Sequence, residues 1–498
     1  MVGINSTVAY TLDHKRVVLT LEERFLLIDY EYSSSGSTLG CFSSVACINS
    51  SFHSSIRHES IVYYNIIWAE LASARAQTQL LCLRIDYCIV KNDLKATFSR
   101  SSFLVDGSEE QNCRAFTEAL MNRAYRNTIR CKRLLVLINP FGGQGKATDR
   151  FLKLSLPIFD AARCHVDQIK TEYKGHAMDL IENMEGLEDR YDAIVCCSGD
   201  GIPHEVFNGL SKRKNAGLAF RVPVCQLPCG SGNALCVNLV GSNDLPFATL
   251  STVKGVPIPV DLCSLTQGDK RYVTFLSQAL GMIADCDLGT ENMRWMGESR
   301  FTVGLVMRVL SRAKYPCEVS VRIAHESRSQ VRRAYQEDKS KNHERYDDSV
   351  DAEAVASRSL PSLRYGTIND PVPEDWKIIN TSTLAIFYAG KMPWMSSDAL
   401  FFPAALPRDG YVDLVLIDSA IPRLEVLSIL LNVQEGKHFD SKQIHYYKVD
   451  AYRVTPKAHS GFISIDGEKF DFTPFQVEVH PSLGTVLSRT GFYQAPGV

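Results

Sequence analysis

Between residues 132 and 234 one local pattern occurs three times, and it constrains the fold more than any other feature of the chain. A short apolar run ends in a glycine-rich turn, and the turn opens a stretch of helical periodicity. The runs are KRLLVLIN (132–139), DAIVCCS (192–198) and VPVCQLP (222–228). The turns are NPFGGQGKA, SGDGIPHE and LPCGSGNA. Unbroken apolar runs suit strands covered on both faces, because a strand with one wet face alternates. CHVDQIKT (164–171) is a fourth candidate strand, and KATDRFLKLSLP, GHAMDLIENME and PHEVFNGLSKR supply helices between them. This alternation predicts a parallel, Rossmann-like α/β sheet over residues 131–250. Glycine weakens a chain unless backbone geometry or ligand access requires it. Three such turns in one α/β unit are hard to explain as coincidence, and the Gly199-Asp200-Gly201 turn lies at a strand's carboxyl end, where open α/β sheets bind ligands.

The flanks read differently. Residues 1–130 form a β-rich N-terminal module, with SIVYYNIIWAEL and QLLCLRIDYCIV as strands and an amphipathic helix near 109–127. Strands closed by one helix suggest a pleckstrin-homology-like domain. Residues 251–498 carry VPIPVDLCSL, KRYVTFLSQAL, STLAIFYAG, YVDLVLID and FQVEVHP, which predict a mainly antiparallel β domain. Residues 326–359 interrupt it with dense mixed charge and few large apolar side chains, so a disordered insertion is expected there.

Composition narrows the class. Lys plus Arg number 54 against 56 Asp plus Glu, a formal charge of −2, which argues against a nucleic-acid partner. The 15 cysteines include no C-x-x-C pair and read as buried, reduced thiols. No stretch reaches the roughly 20 apolar residues of a membrane span. The N-terminus lacks a basic segment followed by an apolar one. A cytoplasmic protein is expected, touching membranes only peripherally if its substrate is a lipid.

Each motif has a plain structural alternative. NPFGGQGKA departs from a Walker A loop at Pro140 and Ala147, and a tight strand-to-helix turn accounts for it equally well. Asp200, between Gly199 and Gly201, is a candidate proton acceptor or a helix cap. Asp466-Gly467-Glu468 is a candidate ligand loop or a type I′ hairpin turn.

Taken in order, NPFGGQGKA, SGDGIPHEVFNGL, LPCGSGNAL and SIDGE resemble the diacylglycerol kinase catalytic fold. Within it the chain is similar to the sphingosine and long-chain-base kinases. Ser198, the segment GMIADCDL (281–288) and the run RWMGESRF (294–301) carry that closer resemblance. YYNIIWAEL and the closing FQVEVHP look like the fungal and plant type. The resemblance implies an ATP- and Mg²⁺-dependent lipid kinase that phosphorylates the primary hydroxyl of a sphingoid base. It implies ATP contacts from Asn139, Pro140, Phe141, Thr171, Glu172, Tyr173, Lys174, Gly175, Glu205, Gly230, Ser231, Gly232, Arg294, Arg300, Asp466, Gly467 and Glu468. Ser198, Gly199, Asp200 and Gly201 would meet the lipid head group, Asp200 would be the base, and Asp287 would pair with the substrate ammonium. The metal's protein ligands are not assigned. Gln144 stands where relatives often carry a basic residue. Three readings compete: a diacylglycerol or ceramide kinase, whose substrates lack a free ammonium; an NAD kinase, which shares a Gly-Asp-Gly loop; and a lipid-binding scaffold without turnover.

Overall fold

The computed structural model describes residues 5–31, 57–73, 80–126, 128–289, 313–344 and 359–498. The chain divides into two units, Met1–Cys131 with Pro157–Arg163, and Lys132–Leu156 with Cys164–Val498.

In the first unit, β1 (Ser6–Tyr10), β2 (Arg16–Leu21), β3 (Phe25–Tyr30), β4 (Arg57–Val62), β5 (Ile66–Ser73), β6 (Leu80–Val90) and β7 (Ala96–Asp106) form one sheet. Their order is β4-β3-β2-β1-β7-β6-β5, and every neighbouring pair is antiparallel. Helix α1 (Glu110–Tyr125) buries Cys113, Phe116, Leu120, Met121 and Ala124, a stripe at helical spacing. SIVYYNIIWAEL, read as one strand, is two. A short turn at Tyr63–Asn65 separates β4 from β5, which lie at opposite edges of the sheet. The Tyr63 hydroxyl donates to the Glu22 carbonyl at 2.6 Å and fixes that crossing.

The second unit is built on one mixed sheet. Its parallel part has the order β9-β8-β10-β11, with β8 (Arg133–Ile138), β9 (His165–Lys170), β10 (Ala193–Ser198) and β11 (Val224–Pro228). Leu134–Ile138 and all of β10 and β11 are buried, as unbroken apolar runs require. Helices α2 (His176–Asn183), α3 (Gly201–Lys212), α4 (Ala234–Val240) and α5 (Leu245–Lys254) belong to this part.

The antiparallel part comprises β12 (Val256–Gln267), β13 (Lys270–Thr274), β14 (Ser277–Gly281), β15 (Cys317–His325), β16 (Lys377–Thr381), β17 (Leu384–Gly390), β20 (Val412–Asp418), β21 (Ile444–Pro456), β22 (Ile463–Ile465), β23 (Glu468–Phe470) and β24 (Phe475–Ser488). A separate hairpin joins β18 (Trp394–Ser396) to β19 (Ala399–Leu400). The sheet does not break near residue 250, because β24 returns to pair with β11, Val486 beside Val224. Along β20, Leu414 and Leu416 enter one apolar cluster while Val415 and Ile417 enter the other. The C-terminal strands therefore have a core on both faces. The second cluster also holds Met282, Ala284 and Cys286 of α6 (Met282–Gly289).

The expected disordered insertion is corrected in its first half. Residues Arg328–Glu344 form helix α7. Val331, Ala334 and Tyr335 are buried at helical spacing, and Arg328 donates to the carbonyls of Phe439 and Ile444, each at 2.6 Å. Three apolar residues on one face suffice when an arginine anchors the first turn, and average composition hides such a stripe. Residues 345–358 lie outside the described residues. Helix α8 (Arg423–Leu431) follows β20. Among the described residues no helix is long and apolar enough to cross a membrane.

Two buried polar devices hold this unit. Lys132 donates to the carbonyls of Thr252, Val253 and Gly255 at 2.9, 3.0 and 3.1 Å, so its charge closes the C-terminus of α5. Burial pulls its ammonium down to about 8. Deeper, Asp409 bridges Lys391 and Lys448, each at 2.6 Å. Asp261 and Asp413 complete the cluster at 2.9 and 3.2 Å from those lysines.

Candidate active site

Three glycine-rich loops meet at the carboxyl ends of β8, β10 and β11, and they meet through backbone. A Cβ on Gly142 or Gly143 would approach the Cys229 carbonyl to 2.8 or 2.9 Å. A Cβ on Gly230 would lie 2.2 Å from the Gly199 Cα. These glycines are required by loop-to-loop contact before any ligand is considered. The loop is also knit locally: Asn139 accepts from the Phe141 amide at 3.0 Å, and Phe141 itself is 78% exposed. The result is a rim of backbone and exposed side chains suited to a polyanion.

Asp200 caps a helix, but not its own. It stands at the start of α3 without capping it. Its Oδ2 accepts from the Ala234 amide at 2.9 Å, and its Oδ1 from the Leu235 amide at 3.1 Å and from Gln226 at 3.2 Å. The first two donors open α4, so the carboxylate sits on that helix's positive end. Burial pushes its pKa up, these three donors pull it down, and the Asp466 carboxylate pushes it up again. Two lone pairs per oxygen leave Oδ2 one position for a further proton.

Glu205, on α3, accepts from the amides of Gly175 and Ala177 at 2.8 and 3.0 Å. It thereby fixes the Thr171–Gly175 loop at the start of α2. Burial raises its pKa against those amides. Thr171 is buried beside the Ile138 carbonyl. The Glu172 amide donates to His176, and the Tyr173 ring stacks on His176 at 4.7 Å. Lys174 reaches across to Glu468 at 2.5 Å.

Asp466 and Gly467 both have positive φ, 51° and 83°, between the two short strands β22 and β23. That is the type I′ turn anticipated as the plain reading. The Asp466 carboxylate is fully engaged: it accepts from Thr274 at 2.6 Å, from the amides of Phe275, Leu276 and Ser277, and from His204 at 2.8 Å. It is a buried tie between α3 and the β13–β14 turn. Glu468 is the half-exposed member of the turn, and a Cβ on Gly201 would lie 2.9 Å from its Oε1.

Asp287 accepts from Ser464 at 2.5 Å, and its Oδ2 lies 3.9 Å from where a Gly467 Cβ would stand. The hairpin thus brings the Asp287 carboxylate and the start of α3 to one place. Ser198 is buried, and its hydroxyl donates to the Gly199 carbonyl at 2.7 Å, so it serves the turn rather than an outward contact. Ser231 and the flanking Gly230 and Gly232 remain accessible. Arg294 and Arg300 lie outside the described residues. Sequence reasoning passed over Gln226 and Ser464. The available signal was a polar residue inside an otherwise apolar strand.

The diacylglycerol kinase catalytic domain model matches residues 133–265. A YegS C-terminal NAD kinase beta sandwich-like domain matches residues 381–488, and a domain of unknown function matches residues 10–126. Sphingoid long chain base kinase 5 of Saccharomyces cerevisiae is 36% identical over 76% of this chain and 62% of its own length. The match therefore spans less than two thirds of that yeast protein. Sphingoid long chain base kinase 4 of Schizosaccharomyces pombe is 36% identical over 77% of this chain and 81% of its own. Human sphingosine kinase 1 is 31% identical over 72% and 91%.

Proposed function

We propose, for a chain that belongs to the sphingoid long-chain base kinase family, that it transfers the γ-phosphoryl group of ATP to the primary hydroxyl of a sphingoid base. The observation that carries this reading is the hairpin at Asp466–Glu468. It sets Glu468 over Gly201, beside Asp200, and Gly467 beside Asp287. A carboxylate able to accept a hydroxyl proton and one able to receive an ammonium thus border one site.

The parallel strands β8–β11, in Rossmann-like order, offer their loops to the nucleotide. Asn139–Phe141, the Thr171–Gly175 loop and Gly230–Gly232 would hold ATP, since their backbone approaches can admit phosphate oxygens without side-chain obstruction. When bound, ATP would supply the transferable phosphoryl group and Mg²⁺ would offset its charge. The chain's own share is positioning. Glu205 freezes the Thr171–Gly175 loop, and Asp466 fixes the turn beneath Glu468. Asp200 Oδ2 accepts the proton of the attacking hydroxyl. Ser464 orients Asp287 toward the 2-ammonium of the base. A diacylglycerol or ceramide kinase would have no ammonium for that pair to read.

The long apolar tail offers most of the binding, about 0.8 kcal/mol for each buried methylene before ordering costs. Met282, Ala284 and Cys286, on the helix that carries Asp287, belong to the apolar cluster that also takes in Val426 and Ile429 of α8. The lipid resides in membranes, so the protein works at a membrane surface as a peripheral protein of the cytosolic side. The N-terminal unit, seven antiparallel strands closed by one helix, fits a pleckstrin-homology-like module. Transfer of labelled γ-phosphate to dihydrosphingosine tests the whole reading. Label appearing equally on diacylglycerol or ceramide, or on no lipid, would overturn it.

A further inference from the structure

Strand β11 reads Val-Cys-Gln-Leu-Pro, and Gln226 is 2% exposed within it. A primary amide buried among apolar residues is costly unless its hydrogen bonds are made. Those of Gln226 are made, and their direction is fixed. Its Oε1 accepts from the Cys236 amide at 2.8 Å. That contact turns the NH₂ end toward β10, where it donates to Asp200 Oδ1 at 3.2 Å and to the Ser198 carbonyl at 3.4 Å. A flipped amide would set its oxygen against two acceptors and its nitrogen against a donor. The orientation is therefore the one that this backbone permits.

We infer that Gln226 is a positioning residue for phosphoryl transfer, holding the Asp200 carboxylate by Oδ1 so that Oδ2 faces the attacking hydroxyl. The inference rests on reading Asp200 as the proton acceptor. Of the three donors to that carboxylate described above, two are backbone amides at the start of α4 and one is a side chain. Gln226 fills the sites on Oδ1 together with the Leu235 amide. Only Oδ2 keeps room for a proton.

The same contact bears on when Asp200 can accept a proton. The titratable groups around it are Asp466 of the hairpin, His204 on α3 bonded to Asp466, Cys236 on α4, Tyr388 on β17 and Glu468 over Gly201. Asp466 and burial favour the protonated form, and the three donors favour the carboxylate. Removing the Gln226 donor tips the balance toward the acid.

The experiment is the pH dependence of kcat/KM for γ-phosphate transfer to dihydrosphingosine, in wild type, Gln226→Met and Gln226→Glu. Direct ATP binding and thermal unfolding are measured on each. Methionine keeps length and loses both polar ends. The acid limb should move up by about one pH unit, a tenfold loss on the limb, with recovery toward wild type at high pH. Glutamate keeps an oxygen for the Cys236 amide but sets a second carboxylate against Asp200, and such a pair retains a proton to higher pH. Its limb should move further. A packing role through Cys236 alone predicts a glutamate variant like wild type, and that result, or an unmoved limb in both variants, overturns the inference. If methionine prevents folding, the glutamate variant decides. Asp200→Asn, run in parallel, separates the two readings. Activity retained there rejects Asp200 as the base. Activity lost there with unmoved limbs rejects Gln226 alone.

Discussion

At the scale of single residues, the carboxylates divide by what their oxygens already do. Asp466 accepts five hydrogen bonds and has nothing left to offer a ligand, whereas Asp200 retains one site on Oδ2. Asp200→Asn should lower kcat by about 10²–10⁴-fold, the range of general base catalysis, with ATP binding nearly intact. A variant keeping a tenth of the wild-type kcat would remove Asp200 from that role. Asp287 bears on the substrate instead. A charged hydrogen bond to an ammonium is worth about 1.5–3 kcal/mol, so Asp287→Asn should lower kcat/KM for a free base by roughly ten- to a hundredfold. N-acetylating the base should hurt the wild type strongly and the variant much less. Additive losses in that four-value cycle would mean that Asp287 does not read the amine.

At the scale of elements, α7 shows how little apolar surface a charged helix needs. Tyr335 is 6% exposed, and a Cβ on Gly497 would clash with its hydroxyl. Tyr335→Ala should destabilise the protein by about 3–5 kcal/mol, the cost of deleting a buried aromatic ring, seen as a lowered denaturant midpoint. Replacing residues 345–358 with a Gly-Ser linker should instead leave the midpoint and kcat close to wild type, since their composition cannot build a core. A linker variant that folds but fails on micellar substrate would assign that segment a function. The ion pair Lys174–Glu468 is worth little by itself, because its lysine end is solvated.

At the scale of the molecule, the buried cluster of two lysines and three aspartates ties β12, β20, β21 and the end of β17 to the loop at Asp409. Attraction from both lysines holds the Asp409 carboxyl below its usual range, against the effect of burial. Its contribution to stability is present above the unfolded pKa and is lost as pH falls through the folded one. Asp409→Asn should therefore cost about 3–5 kcal/mol at pH 7 by stranding buried charge. Asp413 behaves oppositely. Burial pushes it up to about 6, so ionising it weakens the fold as pH rises from about 4 to 6. Asp413→Asn should be neutral or stabilising by about 2 kcal/mol at pH 7, and should flatten stability between pH 4 and 6 in denaturant titrations. A loss as large as that of Asp409→Asn would refute the distinction.

The sequence alone determined the local grammar. Apolar runs ending in glycine turns located β8, β10 and β11, because a strand buried on both faces cannot alternate and a backbone-lined turn cannot carry side chains. The motif set located the kinase family by resemblance, through the order in which the four motifs occur. Tertiary structure decided everything that depends on partners distant in the chain. Nothing near Asp200 in sequence says that its carboxylate closes a helix 34 residues on. Nor does SIDGE disclose that its aspartate faces inward while its glutamate faces the cleft. Gln226, Lys132 and Asp409 are isolated polar letters until the fold supplies the groups they satisfy. A buried polar side chain is defined by what it is paired with, and pairing across a sheet is set by topology rather than by neighbours in sequence.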